Sequence, residues 1–156
     1  SLAFAANEVS GDRPVAAPAL RVLLAEDNPA NQRMGVLMLQ RLGCQVDPVT
    51  DGLSALNAAR SCTYDVIFLD LQMPELDGLS AARHIRQLAP PMGQAPIVAL
   101  TANVFEDDRA ACLAAGMNDF MTKPIVLDEL RRILDRWGHP QTLPAIPATP
   151  VPVAAR

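Results

Sequence analysis

Five polar side chains in this 156-residue sequence stand at or just beyond the ends of short apolar runs. Their types could do chemistry together, since three are carboxylates, one is a hydroxyl and one is an ammonium: Glu26, Asp27, Asp70, Thr101 and Lys123. Carboxylates that crowd together repel each other unless a cation lies among them. A donor set made only of oxygens suits Mg²⁺, which keeps some of its waters and prefers carboxylates together with a phosphate.

The ammonium and the hydroxyl extend this chemistry to a phosphoryl group. Lys123 supplies a compact positive charge and Thr101 a hydroxyl donor, and both suit phosphoryl oxygens. A carboxylate nucleophile, a metal ion and two phosphate contacts make an aspartyl-phosphate site, with Asp70 as the candidate nucleophile. Each residue alone has an ordinary explanation as a helix start, a loop cap or a surface charge. The hypothesis therefore requires that all of them meet at one place.

The arrangement of strands and helices along the chain predicts that they do meet. Apolar runs typical of buried strands alternate with segments of helical spacing. The predicted strands are 20–25, 44–49, 65–70, 97–101 and 119–121, and the predicted helices lie near 29–42, 52–61, 78–88 and 105–115, with a last one whose apolar stripe ends at Trp137. This alternation indicates an α/β fold with a parallel sheet covered by helices on both faces. Sites in such sheets lie beyond the carboxyl ends of the strands.

Composition excludes several other classes of protein. A net charge of −4, without a cluster of Lys and Arg, argues against a nucleic-acid partner. No apolar run approaches the roughly 20 residues that cross a bilayer, and no signal peptide is visible, so we expect no direct membrane contact. Cys44, Cys62 and Cys112 fit neither a disulfide framework nor a zinc pattern. We therefore expect buried, reduced thiols and a cytoplasmic domain.

The ends of the chain differ from its middle. Residues 138–156 are rich in Pro and Ala and show no helical period, which is typical of a semi-extended linker or tail. Residues 1–19 have a similar character and are interpreted as an N-terminal linker. The folded unit is therefore expected over 20–137, and this organisation suggests a module within a longer polypeptide.

Four stretches of the unit closely resemble the receiver domains of bacterial two-component signalling: VLLAEDNPANQ, DVIFLDLQMPELDG, IVALTAN and AGMNDFMTKPI. The resemblance covers nearly all of 20–137 and implies a flavodoxin-like (βα)5 fold with strand order 2-1-3-4-5. It implies that Asp70 accepts a phosphoryl group from a phosphohistidine and that Mg²⁺ is the cofactor. The implied ligands of Mg²⁺ are Glu26, Asp27, Asp70 and the backbone carbonyl of Gln72.

The resemblance also implies how the signal is formed. Thr101 and Lys123 contact the phosphate, Thr101 and Phe120 form the conformational switch, and the peptide bond between Lys123 and Pro124 is cis. Phe120 has no hydroxyl to anchor it at the surface. We therefore expect its ring to be biased inward before phosphorylation, because burial of apolar area is favourable.

The four stretches look most like receivers within hybrid sensor histidine kinases. The implied partners are a histidine kinase phosphodonor domain, in the same polypeptide, and a histidine phosphotransfer domain. The parent is then anchored in the inner membrane, with the receiver in the cytoplasm. The resemblance leaves open whether the chain counts as an enzyme, since a receiver assists its own phosphorylation and dephosphorylation whereas the parent kinase is a transferase. A stand-alone single-domain response regulator is the alternative.

Three readings from other classes share parts of this pattern. A flavin-binding module could have the same fold, but Glu26 and Asp27 would repel a phosphate in the loop after the first strand. A metal-dependent phosphatase with an Asp nucleophile would be expected to carry a DxD pair on its first strand, whereas Asp70 lies on the third and is followed two residues later by Gln72. A receiver-like scaffold without phosphorylation is disfavoured by the retention of all the site residues.

Overall fold

One parallel sheet organises the molecule in the computed structural model, which describes residues 19–102 and 106–138 and, for residues 106–108, the backbone alone. Its five strands are β1 (Arg21–Ala25), β2 (Gln45–Val49), β3 (Val66–Asp70), β4 (Ile97–Thr101) and β5 (Asp119–Thr122). Their order in the sheet is β2-β1-β3-β4-β5, and every neighbouring pair is parallel. The predicted fold class and strand order are therefore confirmed.

The helices follow the strands at nearly the predicted positions. They are α1 (Pro29–Arg41), α2 (Gly52–Ser61), α3 (Gly78–Arg86), α4 (Glu106–Ala114) and α5 (Leu127–Trp137). Helix α3 ends at Arg86 rather than near residue 88, and a short 3₁₀ helix, Met92–Gln94, lies in the loop that follows. The early end is explained by Pro90 and Pro91, which cannot continue a helix because they lack the backbone N–H.

The core lies on both faces of the sheet. Alternate residues of β1 enter opposite core clusters: Leu23 packs with residues of α2, α3 and α4, and Leu24 packs with residues of α1 and α5. Every residue of β3 and β4 is buried. Strands that are covered on both faces have no polar alternation, which is why these two appear as continuous apolar runs in the sequence.

The loop after β3 is held close to the strand by the start of α3. Asp77 caps this helix, since its Oδ1 accepts a hydrogen bond of 2.8 Å from Ser80 N. A Cβ placed on Gly78 would lie 2.3 Å from the carbonyl oxygen of Asp70. Glycine at this position therefore allows α3 to begin directly against the end of β3, and this fixes the path of the chain that leaves Asp70.

The predictions for the cysteines and for the chain ends have mixed outcomes. Cys44 and Cys112 are buried, but Cys62 is only partly buried, so the prediction of burial was wrong there. Cys62 is the residue at which α2 ends in extended backbone, at the edge of the core.

Among the described residues, no helix is both long and apolar enough to cross a bilayer. The predicted linkers 1–19 and 138–156, apart from residues 19 and 138, lie outside the described part of the chain and stay predictions.

Candidate functional site

The predicted site residues come together at the carboxyl edge of the sheet. Glu26, Asp27 and Asp70 each place a carboxylate oxygen within 4.8 Å of the others. Thr101 and Lys123 line a cleft of about 250 Å³ together with Asp70. The site residues lie at the ends of four strands, because parallel strands end at the same edge of the sheet. These strands are β1, β3, β4 and β5.

A single ammonium links the two buried carboxylates of the cluster. Lys123 Nζ lies 2.9 Å from Asp70 Oδ2 and 3.5 Å from Glu26 Oε1. The side chains of Glu26 and Asp70 are 0% and 3% exposed, whereas that of Lys123 is 20% exposed. The backbone N–H of Lys123 donates to the carbonyl of Thr101 at 2.8 Å, which ties the residue to the end of β4. The peptide bond between Lys123 and Pro124 is cis, as the resemblance implied.

Burial and neighbouring charges shift the proton affinities of this group of residues. Burial raises the pKa of the Glu26 carboxyl, and Asp70 adds to the rise, while the hydrogen bond from Asn28 N–H opposes it. Burial alone would lower the pKa of Lys123, but the hydrogen bond and charge of Asp70, together with Glu26, raise it. The ammonium is thus held in its charged form by the carboxylates that it neutralises.

Backbone donors orient the two buried carboxylates. Asn28 N–H donates to Glu26 Oε2 at 3.1 Å, and the side chain of Asn28 caps α1 by accepting from Asn31 N at 3.0 Å. Gln72 N–H donates to Asp70 Oδ1 at 3.1 Å. Each oxygen of Asp70 therefore has a donor, one from the loop after β3 and the other from Lys123.

The donor set fits a hard divalent cation. Its three side-chain ligand atoms are carboxylate oxygens, which Mg²⁺ prefers, and Asp27 is exposed, so that waters can complete the coordination. Gln72 is exposed at the rim of the cleft, and the part of its backbone carbonyl as a ligand stays a prediction. The cleft in front of Asp70 has room for a phosphoryl group, given that one water occupies about 30 Å³ in the liquid.

The two predicted switch residues lie on neighbouring strands. Thr101 is buried, and Phe120 is half-buried against the core cluster that α2, α3 and α4 share. The guanidinium of Arg109, on α4, lies 4.6 Å from the centroid of the Phe120 ring. The ring is thus neither fully buried nor turned out into solvent, and its inward bias stays a prediction.

Sequence reasoning missed two residues at the edge of this site, Arg109 and Gln32. Arg109 appears in the sequence as one charge among several on a helix, and its contact with Phe120 depends on how α4 packs on the sheet. Gln32 follows the capped start of α1 and donates hydrogen bonds to the ends of β1 and β2. Gln32 lies one helical turn after the capping residue Asn28, and this spacing could have indicated that the two side chains lie on the same face of α1.

Comparison with known proteins adds independent findings. A family model described as the response regulator receiver domain matches residues 22–135. The hybrid signal transduction histidine kinase L of Dictyostelium discoideum is 42% identical in an alignment of 123 positions, and the match covers 76% of this chain and 7% of that protein. The chain thus spans less than a tenth of the length of this curated relative.

Two solved structures show the same similarity in three dimensions. The receiver domain of sensor histidine kinase PA1611 from Pseudomonas aeruginosa PAO1, with a magnesium ion coordinated in its active site cleft, is 46% identical with a TM-score of 0.73, covering 78% of this chain and 99% of that one. A co-crystal structure of the Saccharomyces cerevisiae histidine phosphotransfer protein Ypd1 and the receiver domain of its downstream response regulator Ssk1 contains a chain that is 33% identical. Its TM-score is 0.72, and the match covers 81% of this chain and 93% of that one.

Proposed function

Because the chain belongs to the response regulator receiver family, we propose that it accepts a phosphoryl group from a phosphohistidine onto Asp70. The observation that carries the proposal is the position of the Asp70 carboxylate. It ends a strand that is buried on both faces, it is hydrogen-bonded through both oxygens, and it faces a cleft beside the acidic pair Glu26 and Asp27.

The residues of the site divide the work of phosphoryl transfer. A carboxylate oxygen of Asp70 forms a bond to phosphorus while the bond from phosphorus to the imidazole nitrogen of the donor breaks, and the imidazole leaves. Strand β3 holds the nucleophile in place, which matters because phosphoryl transfer depends mainly on positioning and on neutralising charge. Lys123 already lies beside Asp70 and supplies positive charge to the phosphoryl oxygens, and the hydroxyl of Thr101 supplies a donor on the same cleft.

The proposed cofactor is Mg²⁺, with Glu26, Asp27, Asp70 and the backbone carbonyl of Gln72 as its protein ligands. Support comes from the oxygen-only donor set and from the magnesium ion in the similar receiver of PA1611. When bound, Mg²⁺ would neutralise the charge of the phosphoryl oxygens in the transition state. Without a phosphoryl group, the same carboxylates are balanced in part by Lys123.

We further propose that the chain is the receiver of a hybrid sensor histidine kinase, on the cytoplasmic side of a membrane-anchored parent. The similarity to a hybrid kinase of Dictyostelium supports this origin over a stand-alone response regulator. The phosphodonor would be the kinase's own histidine domain, and the co-crystal of Ypd1 with a similar receiver supports a histidine phosphotransfer domain as a second partner. The phosphatase reading gains no support, because Gln72 stands where a second acid would be needed.

The proposal is tested by phosphorylation in solution. Wild-type protein and Asp70→Asn are incubated with acetyl phosphate and MgCl₂, and their intact masses are measured. We expect the wild type to gain one phosphoryl group, and to gain none when EDTA replaces MgCl₂. Asp70→Asn, which keeps the size of the side chain, should gain none in either case. A hydroxylamine-labile phosphate on Asp70→Asn would contradict the assignment of the nucleophile.

A further inference from the structure

Gln32 connects the end of β2 with the acidic pair that follows β1. Its side-chain Nε2 donates to the carbonyl oxygen of Glu26 at 3.1 Å and to that of Val49 at 2.9 Å. Both partners are acceptors, so the amide must present its nitrogen to them. We propose that Gln32 is a positioning residue that fixes the geometry of Glu26 and Asp27 for binding Mg²⁺. This inference rests on the proposed function.

The first step of the argument is the place where the strand ladder ends. Strands β1 and β2 pair as far as Ala25 and Val49, and Glu26 N–H then donates to the carbonyl of Val49 at 3.0 Å. Beyond this point β2 turns towards α2, so it has no further residue to pair with the carbonyl of Glu26. The amide of Gln32 supplies the donor at that carbonyl, and a buried carbonyl that loses its donor is destabilised.

The second step concerns the peptide group that this hydrogen bond holds. The carbonyl of Glu26 and the N–H of Asp27 belong to one planar peptide unit. A donor on that carbonyl therefore fixes the orientation of the link between the two acidic residues. The same hydrogen bond fixes the directions of the two side chains. That of Glu26 turns inward and is fully buried, and that of Asp27 turns outward and is exposed.

The third step is that the carboxylate and the backbone of Glu26 are anchored separately. The carboxylate is held by Asn28 N–H and by Lys123, whereas the carbonyl is held by Gln32 from the second turn of α1. Mg²⁺ demands nearly ideal octahedral geometry, so a small rotation of this peptide weakens its binding. Gln32 thus acts on the metal through the backbone of Glu26 and is not itself a ligand.

The predicted consequence is selective for Mg²⁺. Loss of a residue that orients a metal ligand costs about 10- to 100-fold in metal affinity, so we expect Gln32→Met to raise the Mg²⁺ concentration for half-saturation by at least about tenfold. The phosphorylation rate at saturating Mg²⁺ should stay close to that of the wild type, because Asp70, Thr101 and Lys123 are untouched. A loss of global stability would not weaken Mg²⁺ binding while leaving the phosphorylation rate at saturating Mg²⁺ unchanged.

The test compares Gln32→Met, which keeps the length of the side chain without the donor, with two variants on the same helix. Gln40→Met makes the same chemical change at an exposed position, and Leu39→Val destabilises the core at the far end of α1. Mg²⁺ binding is measured by calorimetry, and amide shifts and hydrogen exchange at residues 26–28 are measured without Mg²⁺. If Gln32→Met folds poorly, Gln32→Asn replaces it, because its shorter amide cannot reach both carbonyls.

We expect faster exchange at these amides and weaker Mg²⁺ binding in the Gln32 variant alone. Unchanged Mg²⁺ affinity in Gln32→Met would overturn the inference, as would an equal loss in Leu39→Val. Neither readout needs phosphorylation. A wild-type protein that gains no phosphate would therefore refute the proposed function, while the role of Gln32 is decided by the amide and calorimetric data.

Discussion

The ammonium of Lys123 lies 2.9 Å from Asp70 Oδ2, although the two residues belong to strand ends that are separated in the sheet by β4. The pair therefore spans the width of the cleft that Thr101 lines. A phosphoryl group on Asp70 would be formed directly beside this charge. In the proposed function Lys123 would therefore have two successive roles, since it balances the buried carboxylates first and would contact the phosphoryl oxygens afterwards.

Replacement of this ammonium should expose its first role. Lys123→Met leaves Glu26 and Asp70 buried without their counter-charge, so we expect the free energy of unfolding without Mg²⁺ to fall by about 3 kcal/mol, as for a buried ion pair that loses one partner. Added Mg²⁺ should restore part of the loss, because it neutralises the same carboxylates. Urea denaturation with EDTA and with MgCl₂ measures both effects.

A matched control for this experiment is Arg131→Met on α5. Arg131 pairs with Asp128 at 3.6 Å, but both side chains are exposed. An exposed pair contributes about 0–1 kcal/mol, so this variant should stay close to the wild type with and without Mg²⁺. If Lys123→Met were as stable as Arg131→Met in EDTA, the charge balance proposed for the site would be wrong.

Neutralising Asp27 should have opposite effects without and with the metal. Its carboxylate is exposed, and its oxygen lies within 4.8 Å of carboxylate oxygens of Glu26 and Asp70. Two like charges about 4 Å apart repel by about 1 kcal/mol in water, so we expect Asp27→Asn to be about that much more stable than the wild type in EDTA. With MgCl₂ the order should reverse, because the variant lacks one of the proposed ligands.

Thermal or urea denaturation under both conditions measures this reversal. Asp135→Asn, a neutralised exposed acid on α5, provides the control for a general effect of net charge. Equal stabilisation of Asp27→Asn and of the wild type by Mg²⁺ would mean that Asp27 is not a ligand.

The strands, helices and site edge could be predicted from the sequence for physical reasons. Strands buried on both faces have no polar alternation, so β3 and β4 stand out as apolar runs that end in Asp70 and Thr101. Helix starts are marked locally by capping side chains, as at Asn28 and Asp77. Because parallel strands end at the same edge of the sheet, the acidic residues and Lys123 must lie close together there.

Contacts between distant elements could not be predicted in the same way. Arg86 appears in the sequence as one of several basic residues in the last turn of α3. In the structure its guanidinium reaches the carbonyl of Gly116, 30 residues further along the chain. Such a partner depends on the packing of whole helices and not on local spacing. The exposure of Cys62 was missed for the same reason, because it is decided at the edge of the core.

The Arg86 contacts lead to a prediction about stability. The guanidinium donates hydrogen bonds of 2.7–2.9 Å to four oxygens, namely those of the carbonyls of Gly93, Ala95 and Gly116 and Oδ1 of Asn118. We expect Arg86→Ala to lower the free energy of unfolding by about 3 kcal/mol, because half-buried carbonyls lose charged donors. Arg86→Lys should recover little, since an ammonium cannot reproduce the planar fork of donors.

Urea denaturation of both variants measures this contribution, with Arg83→Ala as the control. Arg83 is an exposed cation on the same helix, and its replacement should change stability by no more than about 0.5 kcal/mol. Full stability in Arg86→Lys would show that charge alone, and not the geometry of the guanidinium, holds these loops together.

The contact of Arg109 with Phe120 leads to a prediction about the proposed switch. A guanidinium over an aromatic ring at an exposed site contributes about 0.5–1 kcal/mol, which is enough to hold the ring in its half-buried position. Arg109→Ala removes this hold, and the ring lacks a hydroxyl that could anchor it at the surface. We therefore expect the population to move towards the inward ring without phosphorylation.

The aromatic NMR shifts of Phe120 in the variant should approach those of wild-type protein treated with beryllofluoride, a phosphoryl mimic. Arg131→Ala, which alters an exposed guanidinium that pairs with Asp128 on α5, should leave these shifts in place. Phe120 shifts in Arg109→Ala that match the untreated wild type would show that Arg109 does not restrain the ring.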